Sequence, residues 1–193
     1  MAHFAHTRII NVEAYILKTS RLYITLFMLI FIEAIKVPSD PRFVVDTMLG
    51  NLARWLRILG YDTIYSPTIE DWAILKIAEN ERRIILTRDV GLYRRAIKKG
   101  LEAFLIDTPK IEEMLRELAR RYSILIEFNE NDTRCPICNT LLRKASSLTE
   151  VSGKVDKKIL VSYRSFWVCP SCDKIYWKGK HWKTIENILS SIS

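Results

Sequence analysis

Two cysteine pairs, Cys135-Pro-Ile-Cys138 and Cys169-Pro-Ser-Cys172, and a set of aspartates behind short apolar runs are the residues best suited to chemistry. These four cysteines are all that the 193 residues contain. Two residues between thiols let one turn of backbone present both sulfurs to a single ion. Two such pairs supply the four thiolates of a closed, tetrahedral structural zinc site. A ribbon with a long hairpin arm takes up the 30 residues between the pairs. Disulfides, the other reading, need an oxidising compartment, and each pair is too close in sequence for an unstrained internal bridge. The spacing therefore implies one zinc on Cys135, Cys138, Cys169 and Cys172, and a cytoplasmic protein.

The aspartates are Asp46, Asp71, Asp89 and Asp107. Carboxylates gathered a few Å apart repel one another and become favourable once a hard cation joins them. Mg²⁺ or Mn²⁺ on carboxylates and waters suits phosphodiester hydrolysis, because the ion polarises the phosphate and acidifies an attacking water. Each acid also has a quieter reading. Asp46 and Asp89 precede helices and can cap them, Thr68 and Asp71 have capping-box spacing, and Asp107 before Thr-Pro can form an Asx turn. The histidines are His3, His6 and His181, so no Ser or Cys nucleophile with a His partner is evident.

Positioning these acids falls to a regular alternation that starts at Pro41. Strands are expected at Arg42–Asp46, Asp62–Tyr65, Arg83–Thr87 and Ala103–Asp107, with a candidate fifth at Ser123–Phe128. Helices are expected at Thr47–Leu59, from Pro67 to about Asn80, at Val90–Lys99 and at Pro109–Tyr122. Four strand–helix repeats joined by short connections are the pattern of a parallel sheet covered on both faces. In such a sheet ligands bind at the carboxyl ends of the strands, which is where the four aspartates fall.

Charge is distributed unevenly. Residues 41–132 carry 15 Lys+Arg and 15 Asp+Glu, whereas residues 133–193 carry 11 against 4. The ribbon is thus the electrostatic candidate for a polyanion. Its aromatics alternate with Lys178, Lys180 and other cations, a mixture that suits single-stranded RNA, whose bases stack while its phosphates meet charge. In the core, Arg54 and Arg57 flank Trp55, and Arg88 adjoins Asp89; all three arginines are candidates for phosphate contact. Residues 1–40 read as a leader with Met28 as an alternative start. The apolar run Leu22–Ile32 is too short to span a bilayer, so no membrane association is expected.

The runs Phe43-Val-Val-Asp-Thr-Met-Leu-Gly-Asn-Leu-Ala-Arg-Trp-Leu-Arg-Ile-Leu-Gly-Tyr-Asp62 and Ile84-Ile-Leu-Thr-Arg-Asp89 resemble the Mut-seven C-terminal RNase domain family. The later Cys135-Pro-Ile-Cys-Asn139, Phe166-Trp-Val-Cys-Pro-Ser-Cys172 and Tyr176-Trp-Lys-Gly-Lys-His-Trp182 fit that family's zinc ribbon in order and spacing. The resemblance implies an α/β fold: a PIN-like open parallel sheet flanked by helices, followed by a small C-terminal zinc ribbon. It implies a ribonuclease dependent on Mg or Mn, acting on single-stranded or structured non-coding RNA. Asp46, Asp71 and Asp89 match the family's acids, and Asp107 matches less closely. The expected organisation is a leader at 1–40, a nuclease domain at 41–131, a four-cysteine zinc ribbon at 132–185 and a tail at 186–193. A non-catalytic RNA-binding or protein-interaction module on a degenerate PIN-like core is the alternative.

Overall fold

The computed structural model describes residues 41–192, and the reading of residues 1–40 as a leader lies outside them. The chain enters at β1 (Phe43–Val45), passes a 3₁₀ turn (Thr47–Leu49) and continues through α1 (Gly50–Ile58), β2 (Thr63–Ile64), α2 (Asp71–Glu81) and β3 (Ile84–Thr87). Next come α3 (Val90–Lys98), β4 (Ala103–Leu105) and α4 (Ile111–Tyr122). The ribbon adds β5 (Arg143–Lys144), α5 (Leu148–Val151), α6 (Lys157–Ser162), β6 (Phe166–Val168) and β7 (Ile175–Trp177), and α7 (Lys180–Ile192) closes the described chain.

The four core strands are parallel, in the order β2-β1-β3-β4. Successive strand residues face opposite ways, so Phe43, Val45 and Leu86 enter one apolar layer while Val44 and Ile85 enter the other. The first layer is filled by Leu52 and Leu56 of α1 and by Leu115 and Leu118 of α4; the second by Ile74 and Ala78 of α2 and Leu92 and Ala96 of α3. Burial on both faces is why these strands read as unbroken apolar runs. The helix after β1 therefore covers one face and the helix after β3 the other. The strand order reverses between these two neighbours, and in open parallel sheets the carboxyl ends at such a reversal are where ligands bind.

Two local features lock the entry to β2. Gly60 stands at φ +96°, a left-handed conformation that stops α1, with its N–H on the Arg57 carbonyl at 3.0 Å. A Cβ there would also lie 3.0 Å from the Asp132 carbonyl oxygen, so this position has neither the conformation nor the space for a side chain.

Ser123–Phe128 does not form the expected strand. The Tyr61 hydroxyl accepts from the Leu125 N–H at 2.6 Å and lies 3.3 Å from the Leu125 carbonyl as donor, so one side chain does what a neighbouring strand would have done. Residues 186–192, expected as a tail, continue α7. Its Ile185, Ile188, Leu189 and Ile192 recur at helical spacing and pack on the first core layer. Arg116 of α4 donates to the Ser191 carbonyl at 3.1 Å. None of the helices among the described residues is long and apolar enough to cross a membrane.

Candidate functional site

The four cysteine sulfurs lie within 4.8 Å of one another, with Cys135 and Cys169 buried. The Sγ atoms of Cys135 and Cys172 are 3.6 Å apart and those of Cys138 and Cys169 3.3 Å, too far for a disulfide. Bonds of about 2.3 Å to a tetrahedral zinc would place sulfurs about 3.8 Å apart, so the donor set fits that ion. The two pairs are built alike. The N–H groups of Asn139 and Asp173 donate to the carbonyls of Cys135 and Cys169 at 2.9 and 3.0 Å. Both residues stand at positive φ, 69° and 56°, which Asn and Asp tolerate better than most side chains. Burial pushes the Cys172 thiol up to about 12. At Cys138 burial is outweighed by hydrogen bonding with Thr140 and the neighbouring sulfurs, which hold it down to about 6. The Tyr176 hydroxyl is 3.1 Å from the Cys135 sulfur, within hydrogen-bonding distance of that ligand.

The first cysteine pair is bolted to the parallel sheet. Arg57 is buried, and its guanidinium donates to the Thr63 carbonyl at 2.9 Å and to the Pro136 and Ile137 carbonyls at 3.0 Å each. Burial lowers its pKa, but the neighbouring Cys135 and Cys138 oppose that shift. Arg57 therefore does not stand free for a phosphate as expected; it joins α1 to the ribbon. Asn139 reaches back the other way, accepting from the Thr63 N–H at 3.0 Å and donating to Asp62 at 2.6 Å. Asp62 in turn pairs with the buried Arg83 at 2.8 Å. Arg134 donates to the Gly60 carbonyl at 2.9 Å, and Thr133 to the Ile58 carbonyl at 2.9 Å.

At the carboxyl edge of the sheet, Asp46 is 5% exposed. The Thr87 hydroxyl donates to Asp46 Oδ2 at 2.7 Å and Thr47 to Oδ1 at 3.1 Å. Thr87 also accepts from the Asp89 N–H at 2.9 Å, so one hydroxyl ties the ends of β1 and β3 together. Asp89 caps α3 by accepting from the Leu92 N–H at 2.8 Å, whereas Asp46 caps nothing with its side chain. Asp71 opens α2 and pairs with Arg95 of α3. Asp107 lies exposed just beyond β4.

Among the described residues no ion pair engages Asp46, Asp89 or Asp107. The cysteines are the one described group of three or more candidate ligands drawn within 4.8 Å, so the aspartates share an edge without forming so tight a cluster. Arg54 and Arg88 are exposed. Lys178 pairs with Glu130 at 2.8 Å, and Lys180 begins α7.

Sequence reasoning missed Thr87, Tyr176 and Asn139. All three stand inside the runs that carry the family resemblance, but nothing in those runs shows which partner each side chain meets.

No curated protein and no solved structure matches the chain. A family model described as the Mut7-C RNAse domain matches residues 41–189, which take in both the acidic edge and the cysteine site. The chain belongs to the Mut7-C RNAse domain family.

Proposed function

We propose that this chain is a metal-dependent ribonuclease whose ribbon helps hold RNA. The observation that carries this reading is Asp46: a buried carboxylate, at the end of β1 where the strand order reverses, that meets two hydroxyls and, among the described residues, no cation. A charge so placed is costly unless paired, and a bound cation would supply the partner. Mg²⁺ keeps several waters and needs only one or two protein carboxylates. Asp46 and Asp89, linked through Thr87, fit that requirement, with Asp71 and Asp107 at the same edge to carry further charge or order water. A metal there would lower the pKa of an attacking water and offset charge on the phosphate. The exposed Arg54 and Arg88 suit the flanking phosphates, and the zinc on the four cysteines is structural.

The test is Asp46→Asn with single-stranded RNA in Mg²⁺ or Mn²⁺. Cleavage should fall by at least about a hundredfold, since a catalytic metal contributes several kcal/mol. Thermal stability should hold or rise as the buried charge is removed. Full cleavage by the variant would rule the site out. A second reading, RNA binding without catalysis, draws on the Asp71–Arg95 pair and on the capping role of Asp89, which occupy two of the four acids. Metal-independent RNA affinity with no cleavage by the parent protein would favour it.

A further inference from the structure

Between the ribbon, the segment around Phe128 and the start of α7 lies a cavity of about 490 Å³, within the range of small-ligand sites. Six Phe, Tyr and Trp rings line it, among them Phe128, Trp167 and Trp182, together with the imidazole of His181. Three permanent cations, Arg134, Lys178 and Lys180, line it as well, and no carboxylate does. Rings alone would suit any apolar body, and rings with acids would suit a cation. Rings with cations suit a flat π-system that carries negative charge.

The rings are set before any ligand arrives. Trp182 lies edge-on to Phe128 with centroids 4.4 Å apart, and its indole N–H donates to Glu186 at 2.6 Å. Phe128 lies edge-on to Trp167 at 6.5 Å. Rings fixed in this way lose little freedom on binding. The backbone keeps the wall thin at Gly179, where a Cβ would come within 2.7 Å of the Trp177 indole nitrogen. The Lys178 ammonium lies 4.8, 5.4 and 5.8 Å from the ring centroids of Trp182, Phe128 and Trp167. Its salt bridge to Glu130, outside the cavity lining, holds it there. A flexible lysine can yield its place over the rings and follow an incoming phosphate, whereas the rings stay put.

We propose that this cavity receives one unstacked nucleotide of single-stranded RNA, its base among Phe128, Trp167 and Trp182 and its phosphate on Lys178 and Lys180. The choice of RNA rests on the ribonuclease reading, but the occupancy does not depend on cleavage.

The test uses the full zinc-loaded chain and compares adenosine monophosphate with ribose 5-phosphate, followed by calorimetric titration. The two share a phosphate and sugar and differ by the base. The nucleotide should bind at least about fivefold more tightly, the scale of one base stacked on aromatic rings. Trp182→Leu should erase that preference and Trp182→Phe should restore most of it. Equal affinity for the two probes would overturn the proposal, and so would displacement of the nucleotide by tetramethylammonium, which would make the cavity a cation cage. The comparison on the parent protein stands even where a variant fails to fold. Neither probe has a phosphodiester bond. A parent protein that cleaves RNA yet shows no base preference would therefore sink this proposal alone, and one that prefers the base yet cleaves nothing would sink only the ribonuclease reading.

Discussion

Asp89 does two things that a single substitution can separate. Its Oδ1 caps α3, and its carboxylate is one of the charges proposed to hold a cation. Asn caps about as well as Asp, so Asp89→Asn should change stability by no more than about 0.5 kcal/mol. RNA cleavage should fall at least about a hundredfold, read in the same samples as the thermal midpoint. Lost stability with unchanged cleavage would make Asp89 a cap and nothing else. The acids were legible in the sequence because each closes or follows an apolar run. Their partners were less so. Thr87 reads as one more β-branched strand residue, and only the fold shows its hydroxyl pointing at Asp46. Arg57 was misread for a physical reason that was present in the sequence. It lies four residues after Ala53 and beside Leu56, on the apolar stripe of α1, and a cation on that stripe is either buried or misplaced.

Among elements, the seam between β2 and the first cysteine pair is tied by charge. Burial would raise the Asp62 carboxyl, but hydrogen bonds from Arg83 and Asn139 outweigh it and hold the group below its ordinary 3.8. A carboxylate lowered in the folded state stabilises fully above its unfolded pKa, and that contribution drains away as pH falls below about 3.8 toward the folded value. Denaturant midpoints between about pH 6 and pH 3 should therefore drop further for the parent protein than for Asp62→Asn, which carries no charge at any pH. Parallel curves would remove Asp62 from the seam. The alternation of strands and helices was readable because burial on both faces leaves continuous apolar runs. The missing fifth strand was not, since Ile124 and Ile126 pack on the core as strand residues would while Leu125 bonds to a tyrosine from another element.

For the molecule as a whole, the polar stretch Asn129–Asp132 reads as a boundary between a neutral core and a basic ribbon, yet the structure ties the two on either side of it. Zinc contributes on the order of 10 kcal/mol to comparable modules. Cys135→Ser should release the metal and, through Arg57, loosen the end of α1 along with the ribbon. Hydrogen exchange should quicken at Gly60 and Tyr61, whose N–H groups bond to carbonyls of α1, as well as around the cysteines. Exchange confined to residues 133–185 would show that the core stands without its metal-bound neighbour. Charge counts set the basic residues 133–193 apart from the neutral stretch before them. They could not reveal α7 returning to the core, since its apolar stripe begins inside what reads as ribbon and ends in what reads as tail.

The return of α7 carries a consequence for anyone wishing to shorten this chain. A fragment ending at Asp132 would strip the cover from the apolar stripe of α4 and leave the Arg57 guanidinium in a dry site without the Pro136 and Ile137 carbonyls. Such a fragment should aggregate at concentrations where the whole protein stays dispersed, as light scattering would register; an equally dispersed fragment would show that the core tolerates the cut. The half that carries the aspartates and the half that carries the cysteines are thus not interchangeable cassettes. Grafting a foreign ribbon onto this core would require carrying over the knuckle carbonyls and the final helix together.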